Sequence, residues 1–459
     1  NVNYSSGYDF NGLIYYNDQI DKHNINLAAG VNIKETISKY KGLYYVDFPE
    51  GGYSSPDFAK ELRGKPTNAY DKVRLFGALF TLNYSFDNIY LADVSMRLDG
   101  SSQFGTKKKY APFASGGLGL NIHNYSFFKE RMPWLQQLKV RGSYGMTGKV
   151  NFPSYTAQNR FFFETDAWYT TGHAAKLDYM GNPNLEWEKT EIFDIGAELS
   201  LCNEAFYMKF TYYRKNTKDL IADMFIPSSS GFTSYKDNLG ETLNEGFDIQ
   251  VRFDVYKTKD WSVSLWGNLN HNTNKILKVS DALRAYNEQV NDYYEEAEDR
   301  QDGNNPIWNA EYSKPIMKYE EGASLTSIFA VRSLGIDPVT GKELFLNRDG
   351  SISNTWAALQ EVRVGDTEPK ASGSFGVNLV YKNLSLFASF SYDWGKQTYN
   401  ETLVNEVENA DIQYSNVDRR VLTDRWQNPG DIAPLKDIKD IKSVTMPTSR
   451  FVQDDNELS

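Results

Sequence analysis

Cysteine is almost absent from this chain: Cys202 is the only one among 459 residues. A lone cysteine excludes an internal disulfide and any cysteine-based zinc site. Long apolar runs are missing as well, and no stretch of about 18 residues is hydrophobic enough for a membrane helix. That exclusion does not reach β-barrels, whose strands hide a lipid-facing side in alternation. Positive charge is in deficit, with 49 Lys and Arg against 60 Asp and Glu and a net charge of −11. A nucleic-acid partner calls instead for a basic stripe. The four histidines, His23, His123, His173 and His271, lie far apart and match no metal-ligand spacing. No G-x-S-x-G elbow and no phosphate loop is found. The first residues, NVNYSSGYDF, lack the basic-then-apolar pattern of a secretory leader. A chain that opens in mid-pattern is expected to be a piece of a longer protein.

Aromatic residues are plentiful: Tyr 31, Phe 27 and Trp 9 make up 15% of the chain. Many fall on a period of two. Between Gly181 and Tyr256, Phe193, Ile195, Ala197, Leu199 and Leu201 alternate with Asp194, Gly196, Glu198 and Ser200. Phe206, Met208, Phe210 and Tyr212 then share one face, as do Phe247, Ile249, Val251, Phe253 and Val255. Such alternation describes strands with one apolar and one polar side. Only Cys202, Asn203 and Glu204 separate the first two strands, whereas about 30 residues precede the third.

The same rhythm runs along the chain. Strands are predicted at Tyr8–Tyr16, His23–Glu35, Lys72–Phe86, Ile89–Leu98, Ala111–Ile122 and Leu138–Gly145. After the opening stretch come Trp261–His271, Ser372–Tyr381 and Leu384–Trp394. The first pair is expected to turn at Asn17-Asp18-Gln19, the second at Asp87-Asn88 and the last at Lys382-Asn383. The run Gly116-Gly117-Leu118-Gly119 reads as strand glycine. Segments 36–71, 147–189, 215–245 and 274–370 read as long loops without clear alternation, and the tail beyond 395 as polar. Connections therefore alternate short and long, with 123–137 fitting worst. Tight turns on one side and long loops on the other are the pattern of an outer-membrane barrel. About twelve strands of roughly 10 to 15 residues suit a tilted span of the hydrocarbon core. Tyr84, Tyr90, Tyr213, Trp261 and Trp394 lie near strand ends, as interfacial girdle residues do.

Six stretches, in order, resemble the SusC/RagA family, the TonB-dependent outer-membrane transporters of Bacteroidetes. They are RLDGSSQFG (Arg97–Gly105) with KYAPFASGGLGLNI, then LKVRGSYGMTGKVNFPSY (Leu138–Tyr155), and then GNPNLEWEKTEIFDIGAE with its continuation through NEGFDI. EGASLTSIFAVRSLGIDPVTGKELFLNRDG (Glu321–Gly350), GDTEPKASGSFGVNLVYKNLSLFASFSY, and RRVLTDRWQNPGD with SRFVQDD follow. Together they cover nearly the whole chain. The resemblance implies an all-β, transmembrane, antiparallel up-and-down barrel, of which residues 1–459 form the C-terminal portion. It places the plug domain, the N-terminal extension, the TonB box, and the first and last strands outside this sequence. It also implies import of a glycan oligosaccharide or a peptide, energised by the TonB complex, with a SusD-like surface lipoprotein as partner. The localisation it implies is the outer membrane of a Gram-negative cell, in contact with lipid and not with nucleic acid. Binding and gated transport, rather than catalysis, are expected, with no cofactor and no metal. The rival readings are a soluble or adhesive carbohydrate-binding β-protein, which predicts internal repeats that are not visible, and a passive porin.

The loops hold the candidate contact residues. The aromatic segment 161–169, with Phe162, Trp168 and Tyr169 foremost, and Trp308 are expected to stack on sugar rings or apolar ligand faces. Glu186 and Glu188 have the look of a paired carboxylate, but flanking Trp187 they read as the start of a strand. The acidic run Asn287–Gly303 offers clustered oxygen ligands without the EF-hand pattern, and reads as a solvated face.

Overall fold

The computed structural model describes residues 2–52, 55–104, 109–149, 152–225, 232, 234–238, 240–301, 310–410, 412, 416–440 and 444–459. Twelve long strands dominate it. These are β1 (Val2–Ile20), β2 (His23–Gly42), β3 (Thr67–Phe86), β4 (Tyr90–Ser101), β5 (Tyr110–Asn121) and β6 (Leu135–Lys149). They continue with β7 (Glu188–Leu201), β8 (Phe206–Lys218), β9 (Glu241–Lys257), β10 (Trp261–Lys278), β11 (Ala371–Tyr381) and β12 (Leu384–Trp394). Each predicted strand is present, and several run further toward the long connections. β2 continues to Gly42 and β10 to Lys278, because pairing with β3 and β9 satisfies their backbone beyond the point where the apolar alternation fades.

The chain divides into two compact units: residues 1–124, 141–193 and 219–238, and residues 125–140, 194–218 and 239–459. In the first, β1 to β5 form an antiparallel meander in chain order. In the second, β8 to β12 do the same.

The short turns are built by residues in the left-handed region. Asp87 and Asn88 sit at φ 53° and 51°, Cys202, Asn203 and Glu204 at 56°, 57° and 65°, and Lys382 at 50°. Asp and Asn tolerate this conformation better than other non-glycine residues. The first turn is displaced from the expected position: β1 runs through Asn17-Asp18-Gln19 and reverses at Asp21 (φ 52°) and Lys22. The ladder with β2 continues unbroken to Ile20 opposite His23, so in-register pairing outweighs the turn-like composition of 17–19.

Apolar side chains on one face of the strands are bare. Ile14 is 77% and Leu118 72% exposed, with Phe80, Met96, Leu386 and Phe390 on the same kind of face. Contiguous apolar surface on that scale marks contact with an apolar medium. The polar faces carry ladders such as Asn32 to Asp9 and Asn11, and Asn268 to Ser374.

Much of the buried apolar material instead sits in the connections. In the first unit Phe104, Phe113, Phe152, Leu185 and Trp187 cluster around Ala111 and Ala157. In the second, Val290, Tyr294, Tyr312, Val331, Phe345, Trp356 and Met446 do so. The stretch from 274 to 370, expected as a very long loop without clear alternation, has secondary structure of its own. It contains the helix Asp281–Gln301, the strand pair Ser327–Ala330 with Val362–Asp366, and a small sheet from Arg332–Ile336, Glu343–Leu346 and Ile352–Ser353. The tail beyond 395 likewise pairs Gln397–Tyr399 with Val452–Asp454, and Tyr392 and Asp393 with Leu458 and Glu457.

Candidate functional site

In the first unit, the connection from β6 to β7 is gripped at its root. Phe104 stacks on Trp187 at 4.4 Å and meets Phe152 edge-on at 5.0 Å. Asn182 donates to Asp237 Oδ1 at 2.8 Å and to the Lys236 carbonyl at 3.2 Å. Asn238 closes a reciprocal pair with Glu186, accepting from its backbone N–H at 2.8 Å and donating to its carbonyl at 3.1 Å. Gly181 has to be glycine, because a Cβ there would lie 2.2 to 2.5 Å from the Gln158 backbone. The GNPNLEW segment is thus a loop root, and Glu186, 3.5 Å from Lys189, serves in it as a salt-bridge partner.

From this root rises a hairpin, Arg160–Tyr169 paired with Gly172–Tyr179. Phe161, Phe162, Phe163 and Tyr169 are 55% to 68% exposed. Phe162 pairs with Lys176 and Tyr169 with Gly172, while Trp168 is placed opposite His173 at the turn. The hairpin brings three of the four predicted contact residues onto one element, and Trp308 lies outside the described residues.

The second unit carries a polar cleft of about 470 Å³ where the loops meet the upper end of β10. Its walls include Asn272, Asn274, Lys275, Arg363, Asp366 and Glu368. Asn272 donates to Glu368 Oε1 at 2.5 Å and accepts from Tyr213 Oη at 3.1 Å. Tyr213 therefore belongs to the polar side of β8, not to an outward girdle: it follows Tyr212 on the opposite face. Asp366 accepts from Ser324 Oγ and Thr326 Oγ1 at 2.6 Å each and from Arg363 at 3.0 Å. Burial alone would raise its pKa, but the hydroxyl and backbone donors outweigh it, and the carboxyl stays below the usual carboxylate range. A cleft with fixed donors and acceptors of both charges can bind and orient a polar ligand. Its lining comes from four distant segments, 271–275, 322, 363–370 and 395–397, so no local sequence pattern marks it.

Buried ion pairs elsewhere in the second unit tie its connections together. Lys318, itself 5% exposed, is bound to the fully buried Glu361 and donates to Asn291 Oδ1 at 2.6 Å and the Ala358 carbonyl at 3.1 Å. Burial pushes the Glu361 carboxyl up to about 7, against the pull of Lys318. Arg450 of the SRFVQDD segment bridges Glu343 at 2.9 Å and Glu408 at 2.7 Å. Arg425 donates to the Val407, Val421 and Lys436 carbonyls at 2.7, 2.8 and 3.1 Å. The acidic run 287–303 is helical through Gln301, with Val290 and Tyr294 buried and Glu288, Asp292 and Glu295 exposed, as a solvated face requires. Residues 302 and 303 lie outside the described residues. Among the described residues no three His, Cys, Asp or Glu side chains converge as a metal site.

The family model described as TonB dependent receptor-like, beta-barrel matches residues 1–312. The TonB-dependent receptor P3 of Formosa agariphila is 25% identical over 395 residues, covering 85% of this chain and 39% of the relative. The TonB-dependent receptor SusC of Bacteroides thetaiotaomicron is 31% identical over 238 residues, 50% of this chain and 22% of the relative. Among solved structures, the RagAB peptide transporter superposes with a TM-score of 0.82 at 24% identity, over 99% of this chain and 48% of that one. The likeness shows a barrel fold. The chain spans less than half the length of these relatives.

Proposed function

Since the chain belongs to the TonB-dependent receptor β-barrel family of Gram-negative outer membranes, we propose that it is the C-terminal barrel portion of an active importer of oligomeric nutrients. Transport would draw energy from the TonB complex through segments outside this sequence. The outward apolar faces would meet lipid and the polar faces line the lumen. A SusD-like surface lipoprotein is the proposed partner above the loops, in keeping with the likeness to the SusC receptor.

The carrying observation is the pairing of functions within the loops: an exposed aromatic hairpin and, in the other unit, a polar cleft rich in amide and charged groups. Flat aromatic surface and fixed hydrogen-bond donors are what a glycan oligosaccharide needs. A peptide is the second reading, favoured by the two charge signs in the cleft, where Arg363 and Lys275 suit a carboxylate and Asp366 and Glu368 an ammonium.

The test is calorimetric titration of the full-length transporter, with its lipoprotein partner, using oligosaccharide and oligopeptide mixtures. Heat of binding from the oligosaccharides alone supports the glycan reading, and from the peptides alone the second. A transporter that binds neither class sinks both.

A further inference from the structure

We propose that the outward face of β1, β2 and β3, immediately above the apolar belt, is a binding site for phosphate groups of an anionic outer-leaflet lipid. Outward rows climb from Ile20–His23–Phe86 through Ile14–Ala29–Phe80 to Phe10–Ile33–Phe76. His23 to Ile33 covers about 33 Å of strand, or about 25 Å of membrane normal at a tilt of about 40°, which is the height of a barrel's apolar band.

The next rows on the same face change character at once. They read Tyr8–Glu35–Arg74, Ser6–Ile37–Lys72, Tyr4–Lys39–Tyr70 and Val2–Lys41–Asn68. Four cations stand there against one carboxylate. Glu35 accepts from Arg74 Nε at 2.6 Å and pairs with Lys72 Nζ at 3.1 Å. The Arg74 side chain nevertheless stays 64% exposed, and Lys39 and Lys41 are exposed too, Lys39 lying 5.9 Å over the Tyr70 ring. Tyr4, Tyr8 and Tyr70 frame the patch at 56% to 59% exposure, as headgroup-level aromatics do.

Position selects the occupant. The patch is at the strand ends opposite the short turns at Asp21-Lys22 and Asp87-Asn88, the extracellular side of such a barrel. A surface facing lipid at headgroup depth meets the outer leaflet before it meets any soluble ligand. Guanidinium and ammonium groups there match a phosphate monoester, by fork geometry for Arg74 and as point charges for the lysines. Glu35 tempers the site by holding two of the four cations.

The full-length transporter, reconstituted in nanodiscs of zwitterionic lipid with a bisphosphorylated glycolipid or its dephosphorylated form, is examined by native mass spectrometry for retained lipid. At about five-fold per cation, a K39Q/K41Q/R74Q variant is expected to lose about a hundred-fold in retention. Glu35→Gln, which frees Arg74 and Lys72, is expected to retain the phosphorylated lipid more tightly. Equal retention by the triple variant, or of the dephosphorylated lipid, overturns the proposal. Displacement by excess inorganic phosphate does so too, since the patch would then be a free-anion site. If the triple variant fails to insert, Glu35→Gln decides: no gain in retention overturns the proposal.

Discussion

Glu361 shows how far a single side chain can depend on its surroundings. Its carboxyl is fully buried beside Lys318, and its pKa is held at about 7 against an ordinary 4.5. Because the folded value lies above the unfolded one, the folded state holds the proton more tightly. The associated stability is complete below about pH 4.5 and is lost as pH rises through about 7. A shift of that size corresponds to about 3 kcal/mol. The protection of the amides at 314–321 and 358–361, taken relative to the intrinsic exchange rate at each pH, should therefore fall by up to about two orders of magnitude from pH 5 to 7.5, and Glu361→Gln should flatten that slope. A slope unchanged in the variant would assign the pH dependence to other groups. Nothing in the local sequence QEVRV announces a buried acid. Its burial is produced by partners far off in the chain, so it could not be read there.

At the scale of the element, the exposed hairpin 160–179 makes the clearest prediction. Phe162 and Tyr169 are exposed and stand on a root fixed by Phe104, Trp187, Asn182 and Asn238. Replacing both by Ala should leave the melting temperature within about 1 °C, because little burial is lost. Ligand affinity should fall by about ten-fold, at about 0.5–1.5 kcal/mol per stacked ring. Loss of affinity with loss of stability would instead make the pair structural. Elements of period two were legible because strand, face and turn are all local signals. The helix Asp281–Gln301 was legible in principle, since Leu283, Tyr286, Val290, Tyr293 and Tyr294 keep a helical spacing. Short loop strands such as Ser327–Ala330 are buried on every side chain, so no alternation distinguishes them from any other small apolar run.

For the whole molecule, alternating short and long connections assign a sidedness, and the lone cysteine tests it. Cys202 is exposed in the short turn between β7 and β8, at φ 56°. Short turns face the periplasm in barrels of this kind. The hairpin turn at Thr170-Thr171 belongs to a long connection and should face the medium. A full-length transporter otherwise free of cysteine, treated in intact cells with a maleimide carrying a polymer too large for porins, should leave Cys202 unmodified until the outer membrane is opened. A Thr171→Cys variant in a Cys202→Ser background should react before and after. Labelling of Cys202 in intact cells would invert the chain in the membrane. The polar cleft and the aromatic hairpin would then face the periplasm, and the cationic rows above Ile33 would lie at the inner leaflet. Both the import reading and the lipid-phosphate site depend on that one orientation, which the five short connections at Asp21, Asp87, Cys202, Thr258 and Lys382 assign in concert.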